Sequence, residues 1–494
     1  MQSAALWLLC GILRTIPLLF GAVHPIVLGG YVFLILAGLG GWLVFTVEPN
    51  ELRIGSFWTI VPVILIIWLI IQAVPLPLAW VEIISPQRAQ RMIKVNELAG
   101  TDVSFLSLSE NGPVGLYRSF LLLALLVLYY SVRTMIRRDR RVFRWLLYCM
   151  VAVGLIEAIY GLMQFINPVI GMLWLDLPGR AAHGTIIYKN QFASLLNMIW
   201  PLAVAAFAVH FPGLAEHNDE QPISRKVRRQ RRFLNVSRSE AILFFAAAVP
   251  MLLAVLFSLS RGGILALVLV FLLLVALLPF GVKKKLIFGV LLMAVLGGYG
   301  SLLGLDTIIA RFGTISASGG TRFGLYLASL PILFDHWLTG IGLESYTLLS
   351  PIYLKDFPAN VHFDRVHNEY LELTLELGIP MATLLFTWLA TGLIRVAGKL
   401  TIPALRSSEE LSRCIIVVAA FCGLAGFLAH GLVDFGWRLP ANLVYAVTLL
   451  AIIDATVTQE KGTGLFFSSS SEKNEPVPFS FPRSEEKTHD LPPR

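Results

Sequence analysis

Charge is what this chain of 494 residues has least of: Asp, Glu, Lys and Arg make up 14% of it and hydrophobic residues 56%, against about 25% and 45–50% in a soluble domain. That balance excludes an ordinary water-soluble enzyme. Cysteine is scarce too. Cys10, Cys149, Cys414 and Cys422 all lie in apolar runs, with no spacing that suits a disulfide framework or a metal site. The phosphate loop G-x-x-x-x-G-K-[ST], H-E-x-x-H, C-x-x-C and the D-x-D pair that holds a metal-bound nucleotide sugar are all missing. ATP-driven transport and nucleotide-sugar chemistry are therefore left without a motif. Alternation of apolar and polar residues is also lacking, which argues against a β-barrel and for helices that satisfy their own backbone in lipid.

The apolar residues that are present gather into twelve stretches close to the roughly 20 residues a helix needs to cross a bilayer. They lie at about 6–23, 27–47, 57–74, 116–132, 142–166, 192–211, 241–259, 264–280, 286–303, 370–394, 415–432 and 439–453. The sequence thus predicts an all-α, polytopic integral membrane protein of about twelve spans. Arg14 lies inside the first stretch and no small-residue cleavage site follows, so that stretch reads as a span rather than a cleavable signal peptide. The basic clusters Arg133 to Arg144, Arg225 to Arg238, Lys283-Lys284-Lys285 and Arg395 to Arg413 fall on alternate loops. By the positive-inside rule both termini are then cytoplasmic. The same distribution assigns most of the net charge of +8 to topology and gives no reason to invoke nucleic acid.

Residues 1–458 are expected to form the membrane domain. The tail 459–494, with Ser468 to Ser471 and several prolines, is too polar to fold by itself and is expected to be disordered. Two outer segments are long, 75–115 and 305–367. Within the second, the hinge Ser318-Gly319-Gly320 precedes Phe323, Tyr326 or Leu327, Leu330, Phe334 and Trp337 at helical spacing. This predicts an amphipathic helix on the membrane interface, with Pro331 as a break.

Charged residues near lipid outline a site, because each costs a few kcal/mol unless it faces protein or water. Ser258-Leu-Ser260-Arg261-Gly262-Gly263 is the whole connection between the seventh and eighth stretches, and it places Arg261 at the outer mouth near a helix start that favours anions. Arg322, then Arg180, His183, Lys189 and Asn190, are expected on the same side, and cations converging without balancing acids suggest a phosphate-bearing ligand. His367-Asn-Glu-Tyr-Leu-Glu-Leu-Thr-Leu-Glu-Leu-Gly378 marks re-entry into the membrane. Asn368 suits an N-cap, and the helix's positive end favours the neutral His367 imidazole that a general base needs. Glu369, Glu372 and Glu376 recur at i, i+3 and i+7, which puts three carboxylates on one face to pair with arginines inside the bundle. Arg14 with Glu157 and Asp434 with Arg438 read as structural pairs, with His430 and Asp434 close enough to the mouth to join the site.

Four of these fragments together resemble the O-antigen ligase and polymerase superfamily of bacterial envelope glycosyltransferases. They are Gly-Thr-Ile-Ile-Tyr-Lys-Asn190-Gln-Phe-Ala, Ser260-Arg261-Gly262-Gly263, Gly320-Thr-Arg322 leading to Trp337-Leu-Thr-Gly-Ile-Gly342, and His367-Asn368 with Gly378. The resemblance covers about residues 1–455. It implies a GT-C-like fold with a large outer loop between the ninth and tenth spans, in the bacterial inner membrane with a periplasmic active site. It also implies transfer or polymerisation of glycan from an undecaprenyl diphosphate-linked donor onto an acceptor hydroxyl. His367 resembles the proposed base, and Arg261 and Arg322 the arginines that bind diphosphate. Arg180, Lys189, Asn190, Asn368, Glu369, Glu372, Glu376 and Asp434 are supporting or acceptor-side candidates. No metal and no other cofactor is expected, and the acceptor remains open between lipid, glycan and protein. Gly378 is followed by Ile379, Pro380 and Met381, a departure from the ligase pattern that leaves ligase and polymerase equally open. A transporter of lipid-linked oligosaccharide is the competing reading. It would need polar groups through the midplane, where mainly Arg14 and Glu157 are found.

Overall fold

The computed structural model describes residues 2–52, 57–176, 180–209, 237–303, 315–355, 357, 362–400 and 408–457. The basic run 225–232 and the tail 459–494 lie outside the described residues. In chain order the helices are α1 (Gln2–Leu18), α2 (Pro25–Thr46), α3 (Phe57–Ala73), α4 (Leu78–Ile84), α5 (Pro86–Ala99), α6 (Gly112–Arg138), α7 (Arg141–Ile166), α8 (Lys189–Ala208) and α9 (Arg238–Phe257). They continue with α10 (Arg261–Leu277), α11 (Val282–Leu303), α12 (Ile315–Asp335), α13 (Tyr346–Tyr353), α14 (Glu369–Leu377), α15 (Ile379–Leu400), α16 (Ser408–His430) and α17 (Pro440–Val457). A two-residue antiparallel pair, β1 (Leu76–Pro77) and β2 (Phe105–Leu106), is the one sheet among the described residues.

Eight helices, α2, α6, α7, α8, α9, α15, α16 and α17, are long and apolar enough to cross a membrane, and α1, α3 and α10 are apolar but shorter. The chain is an all-α multi-pass membrane protein. Helix α8 is its centre, almost wholly buried and packed on α9, α10, α16 and α7. Small residues let these helices approach closely: Gly263 of α10 abuts Ala193 of α8, and Gly423 of α16 abuts the Met198 backbone. Such contacts hold helices together where lipid is as apolar as any side chain. A second group, α3, α6, α15 and α17, packs beside it.

Two local expectations change. The tenth stretch, 370–394, is not one helix but two, α14 and α15, because Gly378 has φ +80° and ends α14. The break is locked by the Trp337 to Gly342 segment, whose backbone exchanges hydrogen bonds with Leu375, Glu376 and Ile379 at 2.7–3.0 Å. The glycine hinge at 318–320 is helical, and α12 runs through Pro331 to Asp335. Pro331 removes one N–H and so frees only the Leu327 carbonyl, on the exposed side of the helix. Phe323, Leu327, Phe334 and Trp337 are exposed along this region, while Leu325, Ser329 and Ile332 are buried.

Candidate active site

The turn before α14 carries the most constrained polar side chain. Asn368 caps the helix, its Oδ1 accepting from Leu371 N at 3.1 Å. His367, one residue earlier, is held at φ +62°, a left-handed conformation that side chains rarely adopt and that marks stored strain. Three neighbours hold it there. Tyr326 of α12 donates its hydroxyl to the His367 carbonyl (3.0 Å), Phe435 meets the imidazole edge-on at 5.0 Å, and Asp434 Oδ1 lies 4.0 Å from His367 Nδ1. Asp434 is buried, which raises its carboxyl, but His367, His430 and the Phe435 N–H outweigh burial and hold it below the usual carboxylate range.

The turn 430–434, between α16 and α17, is also where Arg322 and the start of α10 come together. Ser260 caps α10 by accepting from Gly263 N at 3.0 Å, which makes the half-buried Arg261 the first helical residue. The next residue, Gly262, sits so close to this turn that a Cβ on it would be 2.8 Å from both His430 Nε2 and the Val433 side chain. Arg322 reaches the same turn from α12 and donates from NH1 to the Val433 carbonyl at 2.9 Å. Its remaining N–H groups have no partner among the described residues. His430 is fixed by Ser194 of α8, Nδ1 to Oγ 2.5 Å.

The start of α8 forms a further side. The Tyr188 ring meets Phe435 edge-on at 5.2 Å and Gln191 donates to the Phe435 carbonyl at 3.3 Å, which places Lys189 and Asn190 beside the same turn. The Asn190 side chain has no hydrogen-bond partner among the described residues. Arg180 does not join: its Nε donates to the Phe165 carbonyl (2.9 Å) and its guanidinium lies over the Phe165 ring, at the end of α7. His183, from the same segment, is folded back onto the Ile187 carbonyl.

Behind the turn lies a buried charge network. Arg438 pairs with Glu376 (2.8 Å), Glu369 (3.1 Å), Glu372 (3.2 Å) and Glu344 (3.6 Å). Arg365 pairs with Glu344 and with Glu372 (3.0 Å), and Arg118 of α6 with Glu344 (3.0 Å). Burial would raise the Glu344 carboxyl, but Arg438, Arg365 and Arg118 bring it down to about 2. The network ties the two turns of the site together. Glu369 Oε1 accepts from Trp437 N (2.7 Å), Glu369 N donates to the Gly431 carbonyl (2.8 Å), and Glu372 accepts from Val366 N (2.9 Å). The spacing of His367 and Asp434 is set by these bonds.

Two expected pairs are replaced. Asp434 faces His367, and Arg438 is instead the hub of the glutamates, because 434–438 is a bend leading into the short 3-10 turn Gly436–Arg438 and not an α-helix that would put both on one face. Glu157 binds Thr185, at its N–H (2.8 Å) and its hydroxyl (2.5 Å), and among the described residues no ion pair joins it to Arg14. Arg118, Glu344 and Arg365 were missed by the sequence reading. Only Arg365, two residues before His367, carried a local signal.

Residues 246–386 match the family model described as O-antigen ligase, a segment that holds Arg261, Arg322, His367, Asn368 and the three glutamates of α14. The match bears out the resemblance to the O-antigen ligase superfamily. With eight helices apolar enough to cross a membrane, it indicates O-antigen ligase-like glycan transfer by a multi-pass membrane protein. No curated protein matches the chain.

Proposed function

We propose that the protein transfers or polymerises glycan from an undecaprenyl diphosphate-linked donor onto an acceptor hydroxyl, at the periplasmic face of a bacterial inner membrane. The twelve-span topology with cytoplasmic termini belongs to the same proposal. The observation that carries it is the convergence of His367, Asp434, Arg322 and the start of α10, whose first residue is Arg261, on one turn, at residues 430–434.

In this reading the His367 Nε2 takes the proton of the acceptor hydroxyl as its oxygen attacks the anomeric carbon. Asp434, on the Nδ1 side, orients the ring and stabilises the imidazolium that forms. The bond from the anomeric carbon to the diphosphate oxygen breaks, and its electron pair stays on the leaving lipid diphosphate. Arg261 and Arg322 receive that growing charge. A fixed guanidinium stabilises it more in the transition state than in the ground state, which is what lowers a barrier. Lys189 and Asn190 lie on the acceptor side, and Arg180 is removed from this proposal because it is anchored on Phe165. The two arginines take the part a divalent ion plays elsewhere, so turnover is expected without added metal. Ligase and polymerase share this donor half and differ only in the acceptor.

The test is turnover of purified protein with undecaprenyl diphosphate-linked oligosaccharide in EDTA, comparing wild type with His367→Ala and Arg261→Ala. Glycosylated product and released lipid diphosphate are expected from the wild type and from neither variant. Movement of labelled donor between leaflets of proteoliposomes, with no product from any acceptor offered, would replace this reading by a transporter.

A further inference from the structure

A cavity of about 280 Å³ lies among α3, α6, α15, α16 and α17 and borders the charge network at Arg118, Glu344, Glu369 and Arg438. Its walls are apolar. Leu65, Leu122, Leu126, Leu389, Val447 and Leu450 line it, and each stays half-buried although it points between helices. Its charged lining residues, Arg118, Glu344, Glu369 and Arg438, are all at one end, where Arg438 pairs with Glu344 and Glu369, and Arg118 with Glu344. The other end is floored by Trp58 and Trp388, which pack edge to face at 5.5 Å.

Water has little reason to fill this space. A buried water needs two to four polar partners, and an apolar cavity of roughly 150 Å³ stays dry and takes a hydrocarbon instead. The depth is informative as well. The cavity follows α6 from Arg118 to Tyr129 and α17 from Leu443 to Leu450. At 1.5 Å per residue, Arg118 to Tyr129 is about 16 Å, close to half the roughly 30 Å hydrocarbon core, that is, one leaflet. Both α3 and α15, which form one side, carry residues such as Ile60, Ile67 and Ile394 that are exposed outward where lipid lies.

We propose that this cavity is a lipid-binding site, occupied by one hydrocarbon chain of a membrane lipid whose polar end rests at the Arg118–Glu344–Arg438 rim. The chain packs against one face of the 3-10 turn Gly436–Arg438 through Trp437, while Phe435 at the start of that turn packs against the His367 ring. The occupied cavity is therefore a support behind the site. The occupant is the acyl chain of a resident phospholipid of that leaflet, since a space one leaflet deep holds one acyl chain and not the longer polyprenyl chain. The proposal stands on the cavity alone, so it holds or falls independently of the glycan-transfer reading.

The test is native mass spectrometry of full-length protein purified in mild detergent, with extraction and identification of retained lipid. Wild type is expected to keep about one lipid per chain. Val447→Phe and the larger Leu122→Trp should lower retention at least fivefold, whereas Ile67→Trp, which adds bulk on the lipid-facing side of α3, should not. Thermal unfolding identifies any variant that is merely misfolded, and Leu126→Phe then serves in its place. A phospholipid mass supports the site, and a polyprenyl phosphate mass in its place overturns the assignment. No retained lipid in the wild type, or equal retention in folded cavity-filled variants, overturns it.

Discussion

Replacing Arg438 by Met should destabilise the protein by about 3–5 kcal/mol, the range for breaking a buried ion pair and leaving its partner uncompensated. The pairing pattern says which partners suffer. Glu344 keeps Arg365 and Arg118, Glu372 keeps Arg365 and the Val366 N–H, and Glu369 keeps the Trp437 N–H. Glu376 keeps no ion pair among the described residues, since Arg438 is its only such partner. The double variant Arg438→Met/Glu376→Gln should therefore recover part of the loss, roughly 1–3 kcal/mol of coupling for residues in one network. Unfolding in mixed micelles titrated with SDS gives the four free energies of the cycle. A single variant within about 1 kcal/mol of wild type, or a double variant no more stable than Arg438→Met alone, would refute the claim that one guanidinium holds the turns of the site together.

The remaining predictions concern chemistry and pH. His367→Ala should lower transfer roughly 10²- to 10⁴-fold, the usual value of a general base, with unchanged thermal unfolding and donor binding; unchanged turnover would remove it from the mechanism. Arg322→Ala should lower kcat/KM roughly 10- to 100-fold, the worth of a hydrogen bond to a charged group, and Arg322→Lys should restore only part because the bidentate fork is lost. Steady-state kinetics on both variants decides this, and full rescue by Lys would contradict a bidentate contact. Acid should loosen α4 and α5. Buried His336 lies 3.1 Å from Arg91, and burial, Arg91 and Arg88 hold its pKa near 4 against the pull of Asp335. A depressed His pKa means stability is intact above about 6.5 and is lost as pH falls toward 4, by roughly 3 kcal/mol over that window. Hydrogen exchange of residues 78–99 at pH 7 and 4.5 should show the change, and His336→Gln should abolish it.

Much of the fold was legible because membrane spans are written in composition: a helix stands at every apolar stretch, and the carboxylates at 369, 372 and 376 do face arginines. What the sequence hid was set by backbone geometry and long-range pairing. Gly378 reads as an ordinary residue of an apolar run until its positive φ and the Trp337 to Gly342 segment show a broken helix. Asp434 and Arg438, four residues apart, look like an α-helical ion pair, but a bend and a 3-10 turn separate them and they face different partners. Arg118 and Glu344 are more than two hundred residues apart in the chain, and local spacing has no means of pairing them. Arg180 resembled its cationic neighbours but is held elsewhere, by the carbonyl and the ring of Phe165.

The central claim is that the turn at 430–434 holds a lipid-linked diphosphate between two arginines, with His367 at the reacting carbon. The most direct measurement is a cryo-EM structure of the His367→Ala protein with undecaprenyl diphosphate-linked oligosaccharide. The account predicts phosphate oxygens within roughly 3 Å of the Arg261 and Arg322 guanidinium groups, and the anomeric carbon facing residue 367. A diphosphate bound away from both arginines, or a glycan threaded through the middle of the bundle, would contradict it.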